Sequence, residues 1–311
     1  MIGCSTASSE RRGKRSRTCP EPDYTIGTCR QGFRVHPPSG GATISNERTR
    51  DRPLGKILAV NIDRISCREA SELIGEWASL HTSRTVLAAN VHMAMEAVDD
   101  PAFRTIMNEA DLVVADGLPL VWALKARGFT DAHHVRGQDL VLAVCRRAEE
   151  QRLKIGLYGT TEGVLEAAEK NLFKMFPRLD LVFSYAPPFR PLNAEEERQV
   201  LDAIERSEAQ VLFVAIGVPK QEKWMAAHVS TVSAVMIGVG AAIDMIGGQQ
   251  PVAPLWMQRS GLEWAFRLAS DPARLWRRYA KHNLRFTALA VVETATAVCR
   301  TRATRFSNTR G

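Results

Sequence analysis

From residue 56 onward the apolar positions fall into two alternating patterns. Short unbroken apolar runs at 57–60, 85–88, 112–115, 154–158, 181–183, 211–216 and 234–237 predict strands. The stretches between them space their apolar residues three and four apart. In 67–80, for example, Ala70, Leu73, Ile74 and Trp77 share one helical face. The same spacing predicts helices over 120–126, 138–151, 161–176, 194–206 and 221–228, and two short ones between 91 and 110, the second opening at Asp100 with Pro101 in its first turn. Strands that are apolar on both faces and separated by helices form a parallel sheet covered on both sides. The expected fold is therefore α/β, a Rossmann-like parallel sheet with helices on both faces.

The pattern also sets the organisation. Residues 1–52 are rich in Ser, Thr, Arg, Gly and Pro without periodicity and read as a disordered basic extension, a nucleic-acid arm being the less favoured reading. Residues 53–250 are expected to form the α/β domain, 251–290 a helical appendage and 291–311 a basic, disordered tail. Asp271-Pro272 opens a helix with a capping carboxylate and a first-turn proline. Beyond it Leu275, Tyr279, His282 and Phe286 share a face, beside a stripe of Arg274, Arg278, Lys281 and Arg285, while Trp256, Trp264 and Trp276 add aromatic bulk. A basic, tryptophan-bearing amphipathic segment reads as lying on an anionic bilayer surface, the plainer alternative being a helix packed on the body with a solvated basic face.

Composition narrows this further. The 311 residues are 45% hydrophobic and 24% charged, enough for a substantial core. The net charge of +7 is unevenly placed: the first 52 residues hold ten Lys/Arg against five Asp/Glu, residues 259–311 hold eleven against three, and the body between is acidic. That asymmetry favours an anionic partner approached from the C-terminal side. The six cysteines, Cys4, Cys19, Cys29, Cys67, Cys145 and Cys299, show no CxxC pair, which argues against a structural zinc site and a disulfide framework and for a reduced, cytoplasmic chain. No apolar segment follows the N-terminal basic residues as in a secretory signal, and no window reaches the ~20 apolar residues of a spanning helix.

In open parallel sheets ligands bind beyond the carboxyl ends of the strands. Here those ends carry Asn90 and His92, Asp116-Gly117, Gly159-Thr160-Thr161, Tyr185, Gly217 to Glu222, and Gly238 to Asp244. Asp116, directly after an apolar strand, is placed to act as a partly desolvated general base, the alternative being an Asp-Gly turn that caps the next helix. Asp244 could bind a ribose or cap a helix. Gly217-x-Pro219 gives a rigid exit into a helix whose free N–H groups suit an anion, and Gln221 can hydrogen-bond a sugar or a uracil edge. Gly238-x-Gly240 is no dinucleotide fingerprint, since Ile243 stands where the third glycine belongs, and this opposes a nucleotide-sugar dehydrogenase. His133-His134 lacks partners at metal-ligand spacing, so no metal site is expected.

Asn90, Asp111 to Gly117, Gly137-x-Asp139-Leu140, Gly217-x-Pro219-Lys220-Gln221-Glu222-x-x-Trp224, Gly238-x-Gly240-x-x-x-Asp244, Gly261-x-Glu263-Trp264-x-x-Arg267-Leu268 and Arg274-x-x-x-Arg278-Tyr279 occur in that order. This series resembles the WecG/TagA/CpsF family of bacterial glycosyltransferases (glycosyltransferase family 26) over about 53–286. The resemblance implies an inverting, metal-independent enzyme without a cofactor. It would move an N-acetylmannosamine-like sugar or a hexose from a UDP-sugar to a polyprenyl-diphosphate-linked acceptor in cell-surface polysaccharide synthesis. It implies Asp116 as the base, with substrate contacts at Asn90 and Gln221 and a membrane-associating appendage, peripheral on the inner face of the plasma membrane. Gly217, Asp139, Gly238 and Asp244 join the expected substrate site, and Arg267, Arg274 and Arg278 are the expected partners of the diphosphate. The chain departs from the family pattern at Ala88, His134 and Val252, each of which is expected to lose a polar contact. A non-catalytic module that binds a lipid-linked saccharide is the competing function, and a homo-oligomer is compatible with either.

Overall fold

The computed structural model describes residues 52–308, with side chains described as far as residue 296 apart from Arg259, Arg274 and Arg278. The extension read over 1–52 thus lies outside the described residues, Arg52 excepted. The chain opens with an antiparallel hairpin of β1 (Leu54–Ile57) and β2 (Val60–Asp63). There follow α1 (Cys67–Ser79), β3 (Arg84–Ala89), α2 (Val91–Asp99), α3 (Pro101–Glu109), β4 (Leu112–Ala115), α4 (Leu118–Ala126) and α5 (Gly137–Gln151). Next come β5 (Lys154–Gly159), α6 (Glu162–Met175), β6 (Asp180–Tyr185), α7 (Ala194–Ser207), β7 (Val211–Ala215), α8 (Lys220–His228), β8 (Val235–Gly238) and α9 (Ala242–Ile246). Three helices end the chain: α10 (Leu255–Ser260), α11 (Glu263–Ser270) and α12 (Pro272–Asn308).

Strands β3 to β8 form one parallel sheet in the order β4-β3-β8-β7-β5-β6. Successive side chains of a strand point to opposite faces, so each apolar run feeds two cores. Leu87, Ala89, Val113, Leu212, Val214 and Met236 face a layer built from Met93, Phe103, Leu120, Met225 and Phe286. Val86, Val114, Val211, Phe213, Val235 and Ile237 face Ile74, Leu140, Leu165 and Ile243. Local signals start the helices as expected. Ser66 and Glu69 form a reciprocal capping box on α1, and Asp100 caps α3 ahead of Pro101. The doubly covered parallel sheet is the expected fold.

Two expectations are corrected. The run 57–60 is not a strand of the main sheet. Its middle, Leu58 and Ala59, is the turn of the β1–β2 hairpin, with Leu58 at φ 51°. The hairpin instead shields the free edge of β4, where buried Asp63 accepts the Val113 N–H at 2.8 Å. Nor does the appendage end at 290 in a disordered tail, for α12 continues without a break to Asn308. Glu293 fastens it: Oε2 accepts the Leu58 N–H at 2.8 Å and Oε1 pairs with Arg127 at 2.5 Å.

The face of α12 that carries Leu275, His282 and Phe286 is turned to the body, at 4%, 5% and 3% exposure. The apolar face read from the sequence is covered by the α/β body, through contacts with α2 and α4, rather than by a bilayer. His282 lies 4.8 Å from His92 and Arg285 pairs with Asp99 at 2.7 Å. Trp276, Leu284, Val291 and Val292 point outward instead.

At the carboxyl edge of the sheet Gly159 has φ 135°, and a Cβ there would stand 2.4 Å from the carbonyl carbon of Ala215. That crowding involves backbone, which cannot swing aside. We expect Gly159→Ala to cost ~2–4 kcal/mol of stability, read as a lower denaturant midpoint at unchanged slope.

Candidate active site

β4 ends at the carboxyl edge, and the residues after it stay clamped to β3. The Asp116 and Gly117 N–H groups both donate to the Ala89 carbonyl, at 2.8 and 3.3 Å. Gly117 lies against Asn90, whose own side chain caps α2 by accepting the Met93 N–H at 3.2 Å. Asp116 does not cap the next helix, α4, whose cap Gly117 has no side-chain bond. It caps α5 instead: Oδ1 accepts the Gly137 N–H at 2.6 Å, across 21 residues. The His134 ring, Nε2 2.6 Å from the Asp116 carbonyl oxygen, holds the backbone of the same residue. The position expected to have lost a polar contact therefore has one.

Burial raises the Asp116 carboxyl above the ordinary aspartate value, and the charge of Glu263 pushes the same way. The Arg267 guanidinium, the Gly137 N–H and His134 oppose it. A carboxyl desolvated yet held among cations is suited to take a proton from a hydroxyl.

The cations are organised by α11. Glu263 accepts from Arg267 Nη2 at 2.6 Å and lies 3.2 Å from Arg136 Nε, so one carboxylate holds two guanidiniums, of which Arg267 acts on Asp116. Burial alone would raise Glu263, but Arg267 and Arg136 outweigh it and hold it below the ordinary glutamate value. Arg136 also donates to Gln258 Oε1 of α10 at 2.6 Å. The appendage thus contributes side chains to the site edge. The side chains of Arg274 and Arg278 lie outside the described residues, with only their place on α12 fixed.

The neighbouring strand ends carry the remaining candidates. A Cβ on Gly137 would stand 3.6 Å from the Val239 carbonyl, which joins the Asp116 corner to the end of β8. Gly238 leaves room for Gln221, whose amide nitrogen would meet a Cβ there at 3.0 Å. Gln221 is 2% exposed and donates from Nε2 to Glu222 Oε1 at 2.7 Å, while its Oε1 has no hydrogen-bond partner. Gly217 takes φ 86° at the turn from β7 into α8. Asp244 accepts from the Thr160 hydroxyl at 2.6 Å, tying the end of β8 to that of β5. Asp139 is exposed on the first turn of α5, 3.5 Å from Arg136 Nη1. Among departures, Ala88 is buried behind Gly137 and Val252 is 41% exposed. Among the described residues no three His, Cys, Asp or Glu side chains gather as metal ligands.

The sequence reading set Asp116, Asn90, Gln221 and Gly238 at strand ends, where the structure has them, and named Arg267 separately, which approaches Asp116 from α11. It missed Arg136 altogether and named Glu263, Glu222 and Thr160 only as members of motifs or strand ends. The available signal for Arg136 was its place directly before the glycine that opens α5.

The glycosyl transferase WecG/TagA/CpsF family profile matches residues 55–299. A protein of Bacillus spizizenii named N-acetylglucosaminyldiphosphoundecaprenol N-acetyl-beta-D-mannosaminyltransferase is 28% identical over 213 residues, 68% of this chain and 80% of the relative. A protein of the same name from Staphylococcus aureus is 28% identical over 224 residues, 71% of this chain and 86% of the relative. The matched segment contains the whole sheet, the Asp116 corner and the helices that bring Glu263 and Arg267 to it, and the chain belongs to the WecG/TagA/CpsF family of glycosyltransferases.

Proposed function

We propose that the enzyme transfers an N-acetylmannosamine-like sugar or a hexose from a UDP-sugar to a polyprenyl-diphosphate-linked saccharide during cell-surface polysaccharide synthesis. The names of the relatives support the acceptor class and the N-acetylmannosaminyl group. The observation that carries the chemistry is Asp116, a desolvated carboxylate anchored through one oxygen by Gly137 and flanked by Arg267. In this reading its Oδ2 takes the proton of the acceptor hydroxyl as that oxygen attacks the anomeric carbon and the nucleoside diphosphate leaves from the opposite face, with inversion. Arg136 and Arg267 meet the charge that develops on the leaving diphosphate, a task that needs preorganised cations and no metal. Gln221 and Asn90 orient the donor.

Asp116→Asn should keep the fold and UDP binding while lowering turnover by ~10²- to 10⁴-fold, because the amide keeps the shape and cannot accept the proton. Near-normal turnover by that variant would remove Asp116 from the mechanism. Activity should persist in EDTA; a loss restored by Mg²⁺ or Mn²⁺ would show that a metal, not the arginine pair, neutralises the diphosphate.

We further propose that the enzyme works on the inner face of the plasma membrane, held there by α10 to α12. Trp256, Trp264, Trp276 and Leu284 are 63%, 43%, 53% and 75% exposed, with Arg277 stacked over Trp276 and Lys281 exposed nearby. Among the described residues no helix is long and apolar enough to cross a membrane. Each cation near an anionic leaflet contributes up to ~1 kcal/mol, which salt screens, whereas ring burial at ~25 cal/mol per Å² does not respond to salt. Co-sedimentation with anionic vesicles should therefore weaken as salt rises, and Trp276→Ala/Leu284→Ala should lower the part that survives high salt. Equal binding by the double variant in high salt would show that these side chains do not enter the bilayer.

A further inference from the structure

Gln221 and Glu222 are consecutive on the first turn of α8, and both are buried, at 2% and 1% exposure. Neighbours on a helix point about 100° apart, and here each finds a different surrounding. Gln221 lies against the Gly238–Gly240 turn at the active edge. Glu222 lines a cavity of about 70 Å³ between α3 and α8, together with Thr85, Leu87, Ile106, Glu109 and Met225. The two side chains meet through the 2.7 Å bond from Gln221 Nε2 to Glu222 Oε1.

An ionised carboxylate only accepts hydrogen bonds, so it selects one end of a facing amide. The Gln221 nitrogen is drawn to Glu222, and the carbonyl Oε1 is left on the Gly240 side, 4.0 Å from where a Cβ on that glycine would be, without a partner. A buried carbonyl without a donor is costly, and an N–H or O–H from a ligand relieves that cost. We propose that Glu222 is a positioning residue for Gln221: by holding the amide nitrogen it makes Gln221 present an acceptor to an N–H or O–H group of the donor nucleotide sugar. The proposal rests on the glycosyltransfer reading of the site and adds a residue that acts without touching substrate.

Titration follows from the same geometry. Burial pushes the Glu222 carboxyl up to about 7, with the bonds from its own backbone and from Gln221 acting against the rise. Glu109 of α3 faces the same cavity, β3 offers only Thr85 and Leu87, and Lys223 of α8 is turned to Asp100 at 3.3 Å. Above pH 7 the carboxylate holds Gln221 as described. Once protonated it becomes a donor, the Gln221 amide is free to reverse, and the acceptor is lost from the ligand side.

The test uses the full chain, calorimetry with UDP, and steady-state transfer from UDP-N-acetylmannosamine. Glu222→Gln, which can face Gln221 with either end of its amide, should raise the UDP Kd or the donor KM on the order of tenfold at pH 8, the scale of one hydrogen bond. Turnover at saturation should stay within about threefold. In the unaltered enzyme affinity should fall as pH drops through about 7, and in Glu222→Gln the part of that fall due to this carboxyl should be missing, leaving a shallower profile. Folding is checked independently. A carboxyl whose folded value is raised gives its stability below the ordinary glutamate range and loses it as pH rises toward 7, so Glu222→Gln should melt no lower than the parent at pH 8. A change in UDP Kd places the contact on the nucleotide, and a change in donor KM alone places it on the sugar. The double variant with Gln221→Ala should bind no worse than Gln221→Ala alone. The proposal is overturned by unaltered affinity and pH profile in a folded Glu222→Gln, or by losses that add in the double variant. A parent enzyme that neither binds UDP nor transfers the sugar would overturn the functional reading itself, and the role of Glu222 with it.

Discussion

The active edge depends on the hydrogen bond from the Gly137 N–H to Asp116. Without it α5 would begin with an unsatisfied amide, because its cap residue Arg136 makes no side-chain bond to it. By accepting that amide, Asp116 ties the end of β4 to a helix on the opposite face from α4 and fixes one carboxylate oxygen. The helix dipole also favours a negative charge there, which offsets part of the desolvation that works against ionisation. One contact therefore sets position, orientation and charge together. The clamps to Ala89 and from His134 then leave the backbone of Asp116 little freedom.

Around that fixed carboxylate the charge is balanced by sharing. Two guanidiniums brought together would repel, and Glu263 makes their proximity tolerable by accepting from both. An arriving diphosphate would meet cations already gathered, at the expense of competing with Glu263 for them. Because Glu263, Gln258 and Arg267 belong to α10 and α11, the helices beyond the sheet complete the site. In the proposed reaction the membrane-facing segment then has a second task, supplying side chains beside Asp116.

How much of this could be read from the chain follows from how local each determinant is. Strands buried on two faces become continuous apolar runs, so β3, β4, β5, β7 and β8 were legible, as were caps such as Ser66 and Asp100 that act within three residues. The hairpin was not, since Ile57 to Val60 is apolar whether it runs straight or turns at Leu58. The stripe of Leu275, His282 and Phe286 showed an amphipathic helix without showing what covers it, and protein does so here. Arg136 and Glu263 lie 127 residues apart, and their pairing exists only once the chain has folded. Asp116 was legible as a residue at a strand end, but its partner Gly137 was not.

Glu293 closes the longest loop among the described hydrogen bonds, 235 residues back to the turn amide of Leu58. That contact has a consequence for biogenesis. The hairpin is made 235 residues before the side chain that receives its turn, and closing so distant a contact is slow. Until α11 and α12 have left the ribosome, the nascent sheet lacks both its covering of Leu275 and Phe286 and the Glu263–Arg267 pair near Asp116. A chain halted before α11 would hold Asp116 without the Glu263–Arg267 pair beside it.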